Sequence, residues 1–168
     1  MNAVGQAERA TQNRVIALFH DELKYEYLGD WTDREGNSNI EEGLLTAYLT
    51  RNGYTPAQIS TAIFILRNEA DNHSRGLYGN NQAVYNLLRY GVPVKSEAGK
   101  ATETVHLINW EEPEKNDFAI AEEVTLKGNH ERRPDIVLYV NGIAVGVLEL
   151  KNSRVSIGEG IRQNLSNQ

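Results

Sequence analysis

The segment RPDIVLYVNGIAVGVLELK, from Arg133 to Lys151, constrains the fold more than any other stretch of the chain. Two apolar runs of the kind that build the middle of a sheet flank Asn141-Gly142, a pair whose residues both tolerate positive φ, and this predicts a β-hairpin. Yet Asp135 stands at its entrance, and Glu149 and Lys151 at its exit. A simple two-residue turn sets Val140 against Ile143 and Asp135 against Leu148, which puts Asp135 and Glu149 on opposite faces because side chains alternate. A three-residue connection of Val140, Asn141 and Gly142, with glycine in a G1 bulge, pairs Tyr139 with Ile143 and points both carboxylates the same way. A bulge near Asp135 has the same effect. A shared site for the two carboxylates therefore requires an odd residue in the turn or a bulge in the strand.

Glu149 and Lys151 are two apart and share a face, while Leu148 and Leu150 pack on the other. Two carboxylates near the edge of an apolar sheet repel unless a cation joins them. A hard divalent ion with oxygen ligands, most naturally Mg²⁺, resolves that repulsion and keeps waters in its shell. One such water is a candidate nucleophile, and Lys151 is placed to orient or deprotonate it or to stabilise charge on a phosphoryl oxygen. Taken singly, an Asp after Pro is a common turn residue and a Glu-x-Lys strand end a common solvated pair. The joint arrangement is what points to chemistry.

The rest of the chain bounds this reading. Its 168 residues, 40% hydrophobic, fit one domain with its own core. The absence of cysteine excludes disulfides, thiolate zinc sites and thiol nucleophiles, and is compatible with a reducing cytoplasm. No apolar run approaches the roughly 20 residues that span a bilayer. The net charge of −6 argues against a module that grips nucleic acid alone by neutralising phosphates. Arg132, Arg133, Lys151, Arg154 and Arg162 nonetheless gather in the last fifth, where a basic strip or an ordinary solvated face are both open readings.

Residues 1–91 read as helical and residues 92–151 as sheet, with a helix starting at about Gly158 and running to Gln168. Val15, Leu18, Phe19 and Leu23 predict an amphipathic helix over Ala7 to Leu23, followed by a polar loop from Gly29 to Asn39. Ser38 and Glu41 have the form of a capping box before a helix that Gly53 ends. Thr55, Pro56 and Gln58 open a third helix, and Val84 to Leu88 lie in a fourth closed by Gly91. VPV, TVHLINW, FAIAEEVTL, PDIVLYV and IAVGVLEL predict a largely antiparallel sheet of about five strands, and together with the helices an α/β sandwich.

Pro134-Asp135 with Glu149-Leu150-Lys151 resembles the PD-(D/E)xK nuclease motif. NDFAIAEEVTL, RRPDIVLYVNGIAVGVLELK and EGIRQNLSNQ, and more loosely ERATQNRVIALF and NQAVYNLLRYGV, are similar to the N-terminal nuclease domain of the R (restriction, motor) subunit of type I restriction-modification enzymes. The resemblance implies a single nuclease domain over residues 1–168, of restriction-endonuclease-like α/β/α form. It implies cleavage of double-stranded DNA with Mg²⁺, after ATP-driven translocation, in a complex with methylase and specificity subunits. Asp135 and Glu149 become metal ligands, the Leu150 carbonyl a further ligand, and Lys151 the catalytic lysine. Gln163 matches the glutamine of the family's Q-x-x-x-Y motif, whereas Asn167 stands in place of its tyrosine. Nucleases of this fold often place an acidic residue on the first helix, for which Glu8 is the nearest candidate, with Gln12 where Glu was the expectation. Glu122 and Glu123 are adjacent on a strand, so at most one is expected to face the site, and either is more simply a solvated or edge carboxylate. His130 is near enough to the basic pair to approach a phosphate, although a loop histidine is commonly just exposed.

No G-x-x-x-x-G-K-[ST] phosphate loop is present, so the ATPase motor is expected in C-terminal domains of a longer subunit, of which this chain is an N-terminal fragment. Two other readings remain. One is a docking module that keeps the nuclease fold, with the three charges in a closed ion-pair cluster. The other is a nuclease domain of a repair or recombination helicase.

Overall fold

The computed structural model describes residues 3–95, 101–125 and 133–150. It is a mixed α/β protein. Helix α1 (Ala3–Ala17) continues as a π-helical turn (Leu18–Glu22) into strand β1 (Glu26–Asp30). Helices α2 (Glu42–Arg51), α3 (Pro56–Ala70) and α4 (Leu77–Tyr90) follow, then β2 (Val92–Val94), β3 (Glu103–Val105), a 3-10 turn (Pro113–Lys115), β4 (Phe118–Glu122), β5 (Ile136–Val140) and β6 (Ile143–Leu148). No helix among the described residues is long and apolar enough to cross a membrane.

The chain divides into two compact units. The first comprises Met1–Asn39, Phe118–Tyr139 and Ala144–Gln168, and the second Ile40–Asp117 with Val140–Ile143. All five strands expected from the sequence exist, but they fall into two sheets. β2 and β3 pair antiparallel by themselves, with Pro93 opposite Thr104. The other sheet is four-stranded and mixed, in the order β1-β4-β5-β6. Its first strand, β1, was not expected: it lies between the predicted helix ending at Leu23 and the first residues of the predicted polar loop at Gly29, and runs parallel to β4. Tyr27 and Asp30 are three positions apart in β1 while their partners Ile120 and Glu122 are two apart in β4, and Gly29 at φ 110° lies in that irregular step. A lone short strand of this kind, EYLGD, carries no period-2 signal; its partner strand, 90 residues on, decides its conformation.

β4 and β5 run antiparallel. The Asn141 N–H donates to the Asp117 carbonyl (2.8 Å) and the Glu123 N–H to the Asp135 carbonyl (3.0 Å), so the offset is the same at both ends and no residue is inserted between them. In the first unit the apolar face of this sheet holds Trp31, Ala119, Ala121, Val124, Val137 and Tyr139.

In the second unit the helices form as their local chemistry dictates. Thr55 caps α3 through a reciprocal box with Gln58, Pro56 opens the first turn, and Ile59, Ala62, Ile63 and Leu66 are buried. The Ser38–Glu41 box expected for α2 does not form. The helix begins at Glu42 with Glu41 at its N-cap, whose N–H donates to the Gly142 carbonyl (2.8 Å). On α1 the expected stripe is incomplete, with Leu18 and Leu23 half exposed, while the buried position is Gln12.

The hairpin turn has two residues and not three. Asn141 (φ 52°) and Gly142 (φ 82°) are both left-handed, the type I′ geometry that suits the twist of the strands, and a G1 bulge is excluded because Asn141 would then be right-handed. The turn is itself buried. Asn141 Oδ1 accepts from the Asp117 N–H (2.7 Å), and Nδ2 donates to the Leu107 carbonyl and to Asn116 Oδ1 (both 2.8 Å). A Cβ on Gly142 would lie 2.7 Å from the Glu41 carbonyl and 2.9 Å from the Leu45 nitrogen.

Gly142→Ala is expected to lower stability by more than about 2 kcal/mol, because strain at positive φ adds to a clash with main chain. Gly53→Ala, at a similar φ of 85° but in open space, is expected to cost only about 1 kcal/mol. Urea unfolding of both variants checks the contrast. In the same assay, Asn141→Ala should cost about 2–4 kcal/mol by orphaning the Asp117 N–H and the Leu107 carbonyl.

Candidate active site

The two-residue turn has a direct consequence at the far end of the hairpin. With Val140 against Ile143, Asp135 falls opposite Leu148, and Asp135 and Glu149 each lie one residue outside the strands β5 and β6. Asp135 Oδ2 accepts the main-chain N–H of Leu150 at 2.5 Å, just past the end of β6. Asp135, Leu150 and Glu8 line one polar cleft of about 290 Å³, together with Arg9, Gln12, Glu123 and Arg133. Glu149, half-buried one residue beyond β6, is not among the lining residues. Lys151, Gln163 and Asn167, and with them His130, Arg132, Arg154, Arg162 and the expected helix from Gly158, lie outside the described residues.

Two carboxylates set aside at the sequence level prove central here: Glu123 lines the cleft, and Glu122 holds the lining residues Arg9 and Gln12. Glu122 ends β4 with its side chain almost wholly buried. An unpaired charge there is prohibitive, and it is not unpaired. Arg9 Nη1 donates to Oε2 (2.7 Å) and Nη2 to Oε1 (3.3 Å), Gln12 Nε2 donates to Oε2 (2.9 Å), and the Tyr27 hydroxyl makes a short bond to Oε1. The expectation that at most one of the two glutamates turns inward is overturned by the backbone. Glu123 takes φ 53°, which ends the strand's alternation, so the side chain of Glu123 also reaches Gln12 Nε2 (3.1 Å) while Arg133 Nε lies 3.0 Å from its other oxygen. Neither is a solvated carboxylate.

Gln12, which the sequence marks only as standing where a glutamate was the expectation, has a role that the sequence did not show. Its buried amide nitrogen lies within hydrogen-bond distance of Glu122, Glu123 and the Asp135 carbonyl (3.4 Å), and so ties α1 to β4 and to the start of β5. Glu8 sits four residues earlier on the same helical face, so this tie also fixes where Glu8 stands along the cleft. The sequence holds one faint signal, a polar residue at helical spacing from an acidic one. Its partners lie more than 100 residues away in the chain.

The network leaves a titration signature. Burial, followed by the hydrogen bond to Glu122 and the nearby negative charge, pushes the Tyr27 phenol up to about 12 from an ordinary 10. Asp30 moves the other way, held low by hydrogen bonds from the Thr32 hydroxyl and N–H.

Among the described residues, the acidic donors along the cleft are hard carboxylate oxygens, a chemistry that suits Mg²⁺. Among the described residues no three carboxylate or imidazole side chains gather closely enough to hold an ion by themselves.

A raised phenol pKa stabilises the fold fully below pH 10, and that contribution is lost as pH rises towards 12, because the unfolded chain ionises first. The urea midpoint of the native chain is therefore expected to fall more steeply between pH 10 and 12 than that of Tyr27→Phe. Parallel curves for the two proteins would show that Tyr27 is not held by Glu122.

Comparison with known proteins places the chain in a family. The family described as "Type I restriction enzyme R protein N terminus" matches residues 5–168. A protein of Methanocaldococcus jannaschii named "Putative type I restriction enzyme MjaIXP endonuclease subunit" is 25% identical over 133 residues, covering 74% of this chain and 13% of that protein. A second protein of that organism, the MjaVIIIP endonuclease subunit, with the same form of name, is 39% identical over 57 residues, or 34% of this chain and 6% of its own. The chain thus spans a small part of the length of these relatives. With its family match running almost end to end, the chain belongs to the N-terminal family of type I restriction enzyme R proteins.

Proposed function

We propose that this chain is the DNA-cleaving domain of a type I restriction enzyme R subunit, a Mg²⁺-dependent endonuclease of the PD-(D/E)xK kind. The observation that carries the reading is the open cleft in which Asp135, Glu8 and the main chain of Leu150 meet, in a chain of this family. Asp135 offers a carboxylate oxygen to the ion, with Glu8 and the Leu150 carbonyl as further oxygen donors. Glu149, Lys151 and Gln163 enter by resemblance to the family motif, with Lys151 orienting water or stabilising charge. When bound, the ion supplies charge stabilisation at the phosphoryl oxygens. Arg9 and Arg133 line the same cleft, each held by a glutamate, and so set positive charge beside an otherwise acidic wall. Double-stranded DNA as substrate, methylase and specificity subunits as partners, and a C-terminal ATP-driven motor belong to the same proposal. So does a cytoplasmic setting.

The second reading is a docking module that retains the fold without catalysis. It is favoured by the engagement of Glu122 and Glu123 with Arg9, Gln12 and Arg133.

In the assembled enzyme, Asp135→Ala and Lys151→Ala are each expected to reduce DNA cleavage by about 10²–10³-fold while DNA binding stays within twofold. Chelation of divalent ions should abolish cleavage and added Mg²⁺ should restore it. Cleavage unaltered by Asp135→Ala would favour the docking module.

A further inference from the structure

The second unit contains a cavity of about 390 Å³ that the nuclease reading does not use, within the size range of small-molecule sites. Its wall includes Asn52, Tyr54, Arg89, His106, Trp110 and Glu111. Trp110 is 49% exposed, yet it is not loose: its indole N–H donates to the Leu88 carbonyl (2.8 Å) at the end of α4. A large exposed ring held in one orientation is a stacking platform. The Arg89 guanidinium carbon lies 5.4 Å from the centre of that ring. Among the described residues Arg89 has no carboxylate partner, whereas Arg9, Arg51, Arg67, Arg75 and Arg133 each have one. Its charge is available to an anion.

The remaining wall suits the edge of a polar ring. Tyr54 is fixed by accepting the His106 N–H through its hydroxyl oxygen (2.9 Å). Asn52 donates its Nδ2 to the Tyr48 carbonyl (2.8 Å), which leaves Oδ1 as an acceptor, and Glu111 brings a carboxylate. A flat ring with N–H donors at its edge and an anionic group close by satisfies all of these together. We propose that this cavity binds one nucleotide unit, its base stacked on Trp110, its phosphate at Arg89 and its edge amino groups facing Asn52 and Glu111. The source is a free mononucleotide or a base exposed in single-stranded DNA. The site shares no lining residue with the Asp135 cleft and does not rest on the nuclease reading.

The two tryptophans make the test direct, since Trp31 is buried in the other unit. Indole N–H resonances of the 168-residue chain, assigned with Trp31→Phe, are followed while dAMP, dTMP, (dA)8 and (dT)8 are titrated. The Trp110 resonance is expected to shift saturably while that of Trp31 stays in place. Arg89→Ala should raise the dissociation constant about tenfold, and Arg67→Ala, an ion-paired arginine elsewhere on the unit, should not. Oligonucleotides binding at least ten times more tightly than mononucleotides identify a strand as the source, and equal affinities identify a free nucleotide; either supports the site. No saturable shift of Trp110 with any probe at millimolar concentration, or an unchanged affinity in Arg89→Ala, overturns it.

Discussion

A single buried amide holds the tip of the β5–β6 hairpin. Asn141 is fully buried at a left-handed φ, and its side chain satisfies a main-chain N–H, a main-chain carbonyl and a second amide. An asparagine tolerates this backbone where a β-branched residue does not, and its side chain can bond in two directions at once. Gly142 completes the turn where even a methyl group would meet main chain. The register of β6 against β5 follows from that turn. Past the far end of the hairpin, Asp135 meets the Leu150 N–H.

At the other end of the strands, burial of a charge organises the wall of the cleft. Glu122 is placed by β4 where water scarcely reaches, and donors from three residues of α1 and β1 converge on it. Buried charges of this kind are weak evidence of net stability, since desolvation offsets much of the attraction. Their geometric effect is firmer. Each donor is placed by a different residue, Arg9, Gln12 or Tyr27, so the carboxylate fixes the helix relative to the sheet edge and with it the line of side chains from Glu8 to Gln12.

Much of the fold was legible because it rests on local chemistry. The α3 box of Thr55 and Gln58, the stop at Gly53, the closure of α4 at Gly91 and the Asn141-Gly142 turn each involve residues within a few positions of one another. The failures have a common cause. β1 is a strand only because β4 offers it a parallel edge. Ser38 and Glu41 have the pattern of a capping box, but the Glu41 N–H is taken by Gly142, far along the chain. Asp135 was legible as a candidate from Pro-Asp before an apolar run, whereas Gln12 was not, because a glutamine on a helix looks the same whether it faces water or three oxygens.

The sequence by itself determined the menu: the helices and their caps, the apolar strands, a glycine turn of a type that admits two lengths, and a set of charges at the ends of one hairpin. Those follow from φ preferences, period and side-chain chemistry, which act over a few residues. Tertiary structure decided which turn length was realised, which carboxylates share a cleft, and that Glu123 leaves the strand pattern at φ 53° to join Glu122 at Gln12. The physical reason is that side-chain direction in a strand reverses with every residue. A one-residue difference in register, invisible in composition or spacing, moves a charge from one face of the sheet to the other.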